Sequence, residues 1–285
     1  MSNFPVVCEI GCNHMGDMSL AKDLALSASQ CGATVIKFQK RNNRELLSEE
    51  EYTTPHPVPE NSYGETYGEH REFLEFNLSQ HTELKEYIES LGCIYSTSVW
   101  DLTSAKEISS LNPELIKIPS ATNLKFDIHE FLVSNYHGEI HVSLGMTTKS
   151  EIDKIIDFYT DNKREKDLVI YSCTSGYPVP FEDVCLLEIK NLIKKYSNKV
   201  KKIGFSGHHL GIAVDIAAMT LGAQVVERHF TLDRTLKGTD HAASLEPTGF
   251  KKLVRDLTNV SKSLEYKSKD ILEIEEIQRK KLKSS

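Results

Sequence analysis

The sequence predicts a single-domain α/β protein, a (β/α)8 TIM barrel, from three observations. Eight apolar segments typical of strands recur along the chain, and each is followed by a segment with the periodicity of a helix. All eight units fit within about 250 residues, the usual size of such a barrel. The alternative, an open doubly wound sheet, would need a G-x-G-x-x-G turn for a dinucleotide, and the sequence contains none. We expect the barrel to span residues 1–266 and residues 267–285 to form a charged C-terminal tail.

Strands and helices alternate in a regular order, and glycines such as Gly32, Gly92 and Gly222 end several helices. Short apolar runs predict strands over 5–9, 33–38, 93–97, 115–118, 140–144, 168–172, 202–205 and 223–226. Apolar residues at helical spacing predict helices over 19–31, 83–91, 102–111, 128–134, 182–196, 211–221 and 247–264. A further helix opens with a capping box from Thr148 to Glu151.

Residues 40–78 interrupt this order. They contain three prolines and the aromatic segment YGETYGEH over 63–70. A loop of this length inside a compact domain is usually a lid, a binding loop or a disordered insert. The aromatic residues argue against plain disorder.

Composition excludes several classes of protein. The net charge of −7 argues against general nucleic-acid binding, and no apolar run approaches the length of a membrane span. The six cysteines have no framework spacing, so we interpret them as reduced thiols. The N-terminus has neither the basic nor the apolar region of a secretion signal. We therefore expect a cytoplasmic protein.

Polar residues follow every predicted strand, and a barrel would bring them all to the carboxyl-terminal face. They are Glu9, Lys37 with Gln39, Thr97, Lys117 with Ser120, Ser143, Ser175 with Tyr177, Ser206 with His208, and His229 with the downstream Asp240. Hydroxyls and lysines that converge near helix N-termini make a site for a phosphate or a carboxylate.

Two of these residues, His208 and His229, follow consecutive strands, whose carboxyl ends should be neighbours. Two imidazoles together with water or substrate oxygens suit a divalent transition metal in an open catalytic site. The alternative is that each histidine is an ordinary polar loop residue. A metal beside a phosphate site would suit a Lewis acid that polarises a carbonyl while a phosphorylated partner reacts.

Together these residues resemble the sialic acid synthase family, which condenses phosphoenolpyruvate with a mannosamine-type sugar. The resemblance runs from residue 6 to about residue 264, and the segments TYGEH, SGH and KGTDHAASLEP are most similar to the animal-type enzymes. The matching stretches are EIGCNHMGD (9–17), VIKFQK (35–40), KIPS (117–120), SLGM (143–146), CTSGYP (173–178), GFSGH (204–208) and ERHF (227–230) with the downstream DH (240–241).

The resemblance implies a role for each matching residue. His208 and His229 would hold a divalent metal, Mn²⁺ or Mg²⁺, and Glu9 would lie by the reacting carbons. Gln39, Tyr177 and Asp240 would hold the open-chain sugar. Phosphoenolpyruvate would be bound by Lys37, Thr97, Lys117, Ser120, Ser143, Ser175 and Ser206.

The implied reaction joins phosphoenolpyruvate to N-acetylmannosamine or its 6-phosphate, giving a sialic acid or its 9-phosphate. Two alternatives stay open. One is a synthase for a legionaminate- or pseudaminate-type sugar, and the other is a non-catalytic metal- and anion-binding barrel that needs a separate partner chain.

The sequence also departs from the family pattern. No acidic residue follows Ser120, where many members place one that binds the sugar, so the sugar stays open. The given sequence ends at Ser285 without the family's antifreeze-like domain, which supplies an arginine to a partner's site. We therefore expect a homodimer or a separate partner with such a domain. His209 is unusual for the family at its position, and we expect it to face solvent.

Overall fold

Eight parallel strands close into a barrel in which each strand pairs with the next and the last pairs with the first. The computed structural model describes residues 4–283. The strands are β1 (Val6–Gly11), β2 (Val35–Lys40), β3 (Ile94–Val99), β4 (Leu115–Ile118), β5 (Glu139–Ser143), β6 (Leu168–Cys173), β7 (Lys202–Gly207) and β8 (Val226–His229). The predicted (β/α)8 barrel is therefore confirmed.

Helices surround the barrel and connect successive strands. They are α1 (Met18–Gln30), α2 (Asn43–Leu46), α3 (Glu49–Thr53), α4 (Tyr67–Phe73), α5 (Leu78–Ser90), α6 (Leu102–Ser110), α7 (Phe126–Asn135), α8 (Lys149–Asp161), α9 (Glu188–Tyr196), α10 (Ala213–Thr220), α11 (Pro247–Ser263) and α12 (Glu273–Leu282). Single 3-10 turns span Pro59–Asn61, Ser120–Thr122, Phe181–Asp183 and His241–Ala243.

Side chains alternate along each strand between the barrel interior and the surrounding helices. The amino-terminal end of the interior is filled by a cluster of aliphatic residues that includes Val7, Val35, Leu115 and Val169. The outward residues pack against the helices in larger apolar clusters. Apolar side chains therefore fill much of the amino-terminal end, beside the polar contact of His141 with Glu139.

The predicted helix over 182–196 is too long at its start. A 3-10 turn spans Phe181–Asp183, and α9 begins only at Glu188. Between them Cys185 adopts a left-handed backbone conformation with φ of 50°, which no α-helix contains.

The segment over 40–78 is an ordered insert that contains α2, α3 and α4. Its end lies against the turn after β1, where a Cβ on Gly16 would come within 2.4 Å of the Phe73 carbonyl oxygen. Its middle reaches the loop after β8, because the Tyr63 hydroxyl donates to the Lys237 carbonyl at 2.7 Å. The insert therefore lies beside the carboxyl ends of β1, β2 and β8.

The predicted tail carries a helix, α12, none of whose side chains is buried. An ion pair joins it to the preceding segment, with 2.8 Å between Lys267 Nζ and Glu275 Oε1. The division between barrel and tail at residue 266 stays a prediction. Residues 1–3 of the predicted barrel and residues 284–285 of the predicted tail lie outside the described residues. Over residues 4–283, no helix combines the length and the apolar character needed to cross a membrane.

Candidate active site

A cavity of about 310 Å³ opens among the carboxyl ends of the strands. The structure brings all but two of the predicted site residues to its wall. They are Glu9, Lys37, Gln39, Lys117, Ser120, Ser143, Ser175, Tyr177, Ser206, His208 and His229. Strand alternation explains this convergence, because each of these residues lies on the inward face of its strand or in the turn just after it.

The two exceptions are Thr97 and Asp240. Thr97 faces the outer helices, and its hydroxyl donates to the Tyr95 hydroxyl at 2.6 Å. The inward position on β3 belongs to its neighbour Ser98, which does line the cavity. Asp240 lies just beyond the wall, with Oδ2 3.9 Å from His229 Nδ1.

Four charged side chains form the floor of the cavity: Glu9, Lys37, Lys117 and Glu227. The Lys37 ammonium contacts the Glu9 carboxylate, lies 3.7 Å from Glu227 Oε2, and donates to Ser98 Oγ at 2.7 Å. Lys117 contacts Glu227 Oε1. All four are buried, so the floor holds two cations and two carboxylates with little access to bulk water.

Burial and mutual attraction set the charge of these groups. Burial lowers the pKa of Lys37 to about 7, even though Glu227 opposes the shift. Burial alone would raise the pKa of Glu227, but Lys117 and Lys37 outweigh it and hold that pKa below its usual range. Glu227 therefore stays ionised, whereas the charge on Lys37 depends on pH near neutrality.

Hydroxyl groups crowd the wall above the lysines. Ser120 Oγ accepts from the Gly145 backbone N–H at 3.1 Å. A Cβ on Gly145 would come within 2.5 Å of Ser175 Oγ and 2.7 Å of Ser120 Oγ, so this position requires a glycine. Ser206 Oγ donates to Glu227 Oε1 at 3.1 Å. These hydroxyls can donate to the oxygens of a phosphate or a carboxylate.

His208 and His229 lie side by side at the carboxyl ends of β7 and β8, with ring centroids 5.5 Å apart. His208 Nδ1 lies 2.9 Å from the Thr174 carbonyl oxygen, which can only accept, so Nδ1 carries the proton and Nε2 is left as a lone-pair donor. The Tyr177 ring packs 4.4 Å from His208. Burial, with a contribution from His229, lowers the pKa of His208 to about 3, and burial also lowers that of His229.

This pair fits a divalent metal. Both imidazoles are neutral at physiological pH, and a backbone carbonyl fixes the tautomer of His208, as is usual for metal-bound histidines. His229 Nδ1 is buried without a hydrogen-bond partner among the described residues. Over the same residues, no third acidic, cysteine or histidine side chain completes a ligand cluster. The donor set therefore suits an open site completed by substrate or water.

The expectation that His209 faces solvent is wrong. Its ring is completely buried, with Nε2 3.2 Å from Asp215 Oδ2 and 3.1 Å from Arg228 Nη1. The reason is geometric. His208 points into the barrel, so His209 points outward, and the outer face of β7 is covered by α10 rather than by water.

Glu227 and Ser98 were missed because one or two polar residues were chosen at each strand end without applying the alternation of side chains along the strand. Glu227 lies within β8, two positions before His229 and therefore on the same face. Ser98 lies inward on β3 for the same reason, and Trp100 follows it into the cavity wall. Applying strand alternation to the sequence would have found Glu227 and Ser98.

Known proteins have sequences similar to the chain that builds this site. The model of the NeuB family matches residues 24–269 of the chain. The chain belongs to the NeuB family. The resemblance to the sialic acid synthases is thereby confirmed, and the barrel with its cavity is a NeuB-family domain.

Relatives of this NeuB-family chain include N-acetylneuraminate-9-phosphate synthase of Homo sapiens, which is 36% identical over 275 residues. That match covers 95% of this chain and 74% of the relative. N,N'-diacetyllegionaminic acid synthase of Legionella pneumophila is 34% identical over 276 residues, covering 93% of this chain and 75% of the relative.

A solved structure also resembles this NeuB-family barrel. It is the N-acetylneuraminic acid (sialic acid) synthetase of Leptospira borgpetersenii in complex with citrate. The TM-score is 0.82 at 26% sequence identity, and the match covers 99% of this chain and 93% of that one. The likeness therefore extends through the whole described barrel.

Proposed function

We propose that this NeuB-family barrel is a synthase that condenses phosphoenolpyruvate with an open-chain amino sugar of the N-acetylmannosamine type. The product is a sialic acid, or its 9-phosphate, and inorganic phosphate. One observation carries the proposal: a cavity that combines two buried lysines and several serine hydroxyls with a pair of neutral histidines.

The lysine side of the cavity would bind phosphoenolpyruvate. Lys37 and Lys117 supply positive charge, and the serine hydroxyls supply donors for a phosphate and a carboxylate. Ser98 would act beside Lys37 in place of Thr97, since its hydroxyl accepts from Lys37 Nζ, lines the cavity and can donate to the substrate. The two ammonium groups now contact Glu9 and Glu227, and they would turn toward the substrate when it binds.

The histidine side would bind the sugar aldehyde. His208 and His229 would hold Mn²⁺ or Mg²⁺, which as a Lewis acid would polarise the aldehyde carbonyl. Gln39, Tyr177 and Asp240 surround this position and would bind the hydroxyl and amide groups of the open chain. Because both substrates would occupy the same cavity side by side, C3 of phosphoenolpyruvate would be held against C1 of the sugar.

The reaction then needs one carbon–carbon bond and one water. C3 attacks the aldehyde carbon, and the aldehyde oxygen becomes a hydroxyl by taking up one proton, which the water that adds at C2 supplies overall. Water adds to C2, the bond from C2 to the phosphate oxygen breaks, and phosphate leaves. Glu9 lies at the floor beside Lys37, where its carboxylate would accept the proton of the attacking water or stabilise positive charge at C2.

A synthase for a different nonulosonic acid is the second candidate. Ala121 lines the cavity at the position where an acidic residue would contact the sugar in many family members. A less polar contact there would favour a sugar with fewer hydroxyl groups, such as a legionaminate precursor. A panel of sugars distinguishes the two candidates.

The test is phosphate release from phosphoenolpyruvate with Mn²⁺ and each sugar of the panel. N-acetylmannosamine, its 6-phosphate and the corresponding legionaminate and pseudaminate precursors would be compared. Lys37→Met should reduce sugar-dependent release to a low residual rate. Lys40→Met is the matched control, since Lys40 lies on the outer face of the same strand and pairs with Glu107 at 3.2 Å. If none of the sugars in the panel supports phosphate release, the proposal is contradicted.

A further inference from the structure

Two arginines flank one indole at the rim of the cavity. The guanidinium carbon of Arg41 lies 5.7 Å from the centre of the Trp100 ring, and that of Arg71 lies 5.6 Å from it. Trp100 itself lines the cavity. We refer to Arg41 and Arg71 as the rim arginines.

Arg71 is buried and Arg41 nearly so, and the two are not fully neutralised. Arg41 forms an ion pair with Glu75, and its Nη2 lies 3.0 Å from Cys12 Sγ. Arg71 donates only to neutral acceptors, Asn43 Oδ1 at 3.1 Å and the Tyr67 hydroxyl at 3.0 Å. Among residues 4–283, no carboxylate forms an ion pair with Arg71, whose exposure is 9%. Burying a cation without an ion-pair partner destabilises the fold unless a bound ligand supplies the opposite charge.

The pKa of the neighbouring His70 indicates a positive electrostatic potential beside the rim arginines. Burial lowers its pKa to about 4, and the further causes are the nearby His56, Arg41, Arg71 and Lys237. Several cations therefore surround one point beside the rim. Such a positive field favours an anion at this end of the cavity.

The rim lies above the sugar side of the cavity. On β2, Lys37 and Gln39 face inward, and Arg41 follows two residues later, a rise of about 6.6 Å along a strand. Across the sheet, Gln39 pairs with Ser98, and Trp100 follows by the same spacing. A sugar whose aldehyde lies by the histidines and whose chain passes Gln39 would place its far end at this rim.

We propose that the rim arginines bind a phosphate group on the terminal carbon of the amino-sugar substrate, which makes a sugar 6-phosphate the preferred acceptor. This rests on the function proposed above. The two guanidinium groups and their one counter-ion, Glu75, leave a net charge of +1 that attracts a phosphate dianion, and the planar forks suit its oxygens. Phosphoenolpyruvate has its own cations at the floor, so the rim is free for the second substrate.

The test compares N-acetylmannosamine 6-phosphate with unphosphorylated N-acetylmannosamine in the Mn²⁺-loaded full chain. We expect the wild-type protein to favour the phosphorylated sugar. Arg71→Met should lower kcat/KM for the sugar phosphate by about 10- to 100-fold, the usual effect of losing a charged hydrogen bond. With the plain sugar, kcat/KM should change by less than about threefold, and the KM for phosphoenolpyruvate should not move.

Arg44→Met is the matched control. Arg44 belongs to the same insert and stacks on Tyr52 at 3.5 Å, but it pairs with Glu49 and is largely exposed. It should leave the preference between the two sugars unchanged. If Arg71→Met does not fold, Arg71→Lys replaces it in the test. Arg71→Lys should reduce the preference for the phosphorylated sugar in part.

Two results would overturn the inference while leaving the synthase function intact. One is a wild-type protein that uses the unphosphorylated sugar equally well or better. The other is an equal loss on both sugars in the Arg71 variants, which would indicate a structural role. Turnover of neither sugar by the wild-type protein would overturn the proposed function, and this inference with it.

Discussion

Arg228 and Asp215 form a completely buried ion pair, with Nη1 2.6 Å from Oδ2, on the outer side of β7 and β8. Arg228 also donates from Nη2 to the His209 carbonyl oxygen at 2.6 Å. In the contact between Arg228 and His209, Arg228 directly precedes His229 and His209 directly follows His208 in the sequence. Because neighbouring residues face opposite sides of a strand, the ion pair lies directly behind His208 and His229 and fixes the spacing of the strand ends.

Replacing Asp215 should therefore destabilise the barrel. Asp215→Asn would leave the Arg228 guanidinium buried and unpaired, which typically costs about 3–5 kcal/mol of unfolding free energy. Denaturant unfolding followed by circular dichroism measures this change. Asp153→Asn is the control, because Asp153 pairs with Lys195 at the surface and should matter little. Equal stability of the two variants would contradict the account of the ion pair.

Loss of either cavity histidine should remove metal and activity together. His208→Ala or His229→Ala takes away one of only two imidazole donors, and we expect Mn²⁺ affinity to fall by at least about 100-fold. Calorimetric titration with Mn²⁺ and the phosphate-release assay measure the two effects separately. His137→Ala, at an exposed position, should alter neither. Full activity in either cavity variant would refute the assignment of the metal site.

Ser98 and Thr97 are neighbours on β3 that face opposite sides of the barrel, so they form a natural pair of test sites. Ser98→Ala removes the hydroxyl beside Lys37 and should raise the KM for phosphoenolpyruvate by about 5- to 10-fold, the effect of one hydrogen bond. Thr97→Val removes a hydroxyl that bonds Tyr95 on the outer face, so it should change stability but not KM. Steady-state kinetics of the two variants show which hydroxyl binds phosphoenolpyruvate. A larger effect of Thr97→Val on KM would assign that role to Thr97 instead of Ser98.

Binding of phosphoenolpyruvate should weaken as pH rises above about 7. The pKa of Lys37 is lowered to about 7 by burial, so the ammonium is charged below that pH and loses its proton above it. Only the charged form attracts an anion, and kcat/KM for phosphoenolpyruvate should fall by up to about tenfold per pH unit on the alkaline side. Lys37→Met should have a low value that does not fall further in this range. A wild-type profile that stays level to about pH 9 would show that Lys37 is not the group that binds the anion.

The sequence was sufficient to predict the barrel, because each strand and helix carries its own periodicity and the eight units recur at regular spacing. It was also sufficient for residues in the turns after strands, such as Ser120, Ser175 and His208. It failed where the face of a strand decides the outcome. Thr97 and Ser98 differ only by one position, and the register that separates them depends on where β3 begins.

Residues contributed by long-range packing could not be predicted. The burial of His209 depends on α10 covering the outside of β7, and the contact between Tyr63 and Lys237 joins segments 174 residues apart. Arg71 reaches Trp100 only because the insert brings α4 back toward the end of β3. No local pattern of residues specifies such contacts, since they arise from the closed geometry of the whole barrel.

The most direct test of the central claim is to observe the new carbon–carbon bond. The Mn²⁺-loaded protein would be incubated with phosphoenolpyruvate labelled at C3 and the amino sugar, as its 6-phosphate or unphosphorylated, labelled at C1. Nuclear magnetic resonance of the product should show one-bond coupling between the two labels, with one phosphate released per coupled product. Uncoupled pyruvate beside unchanged sugar would contradict the account, because phosphate would then leave without condensation.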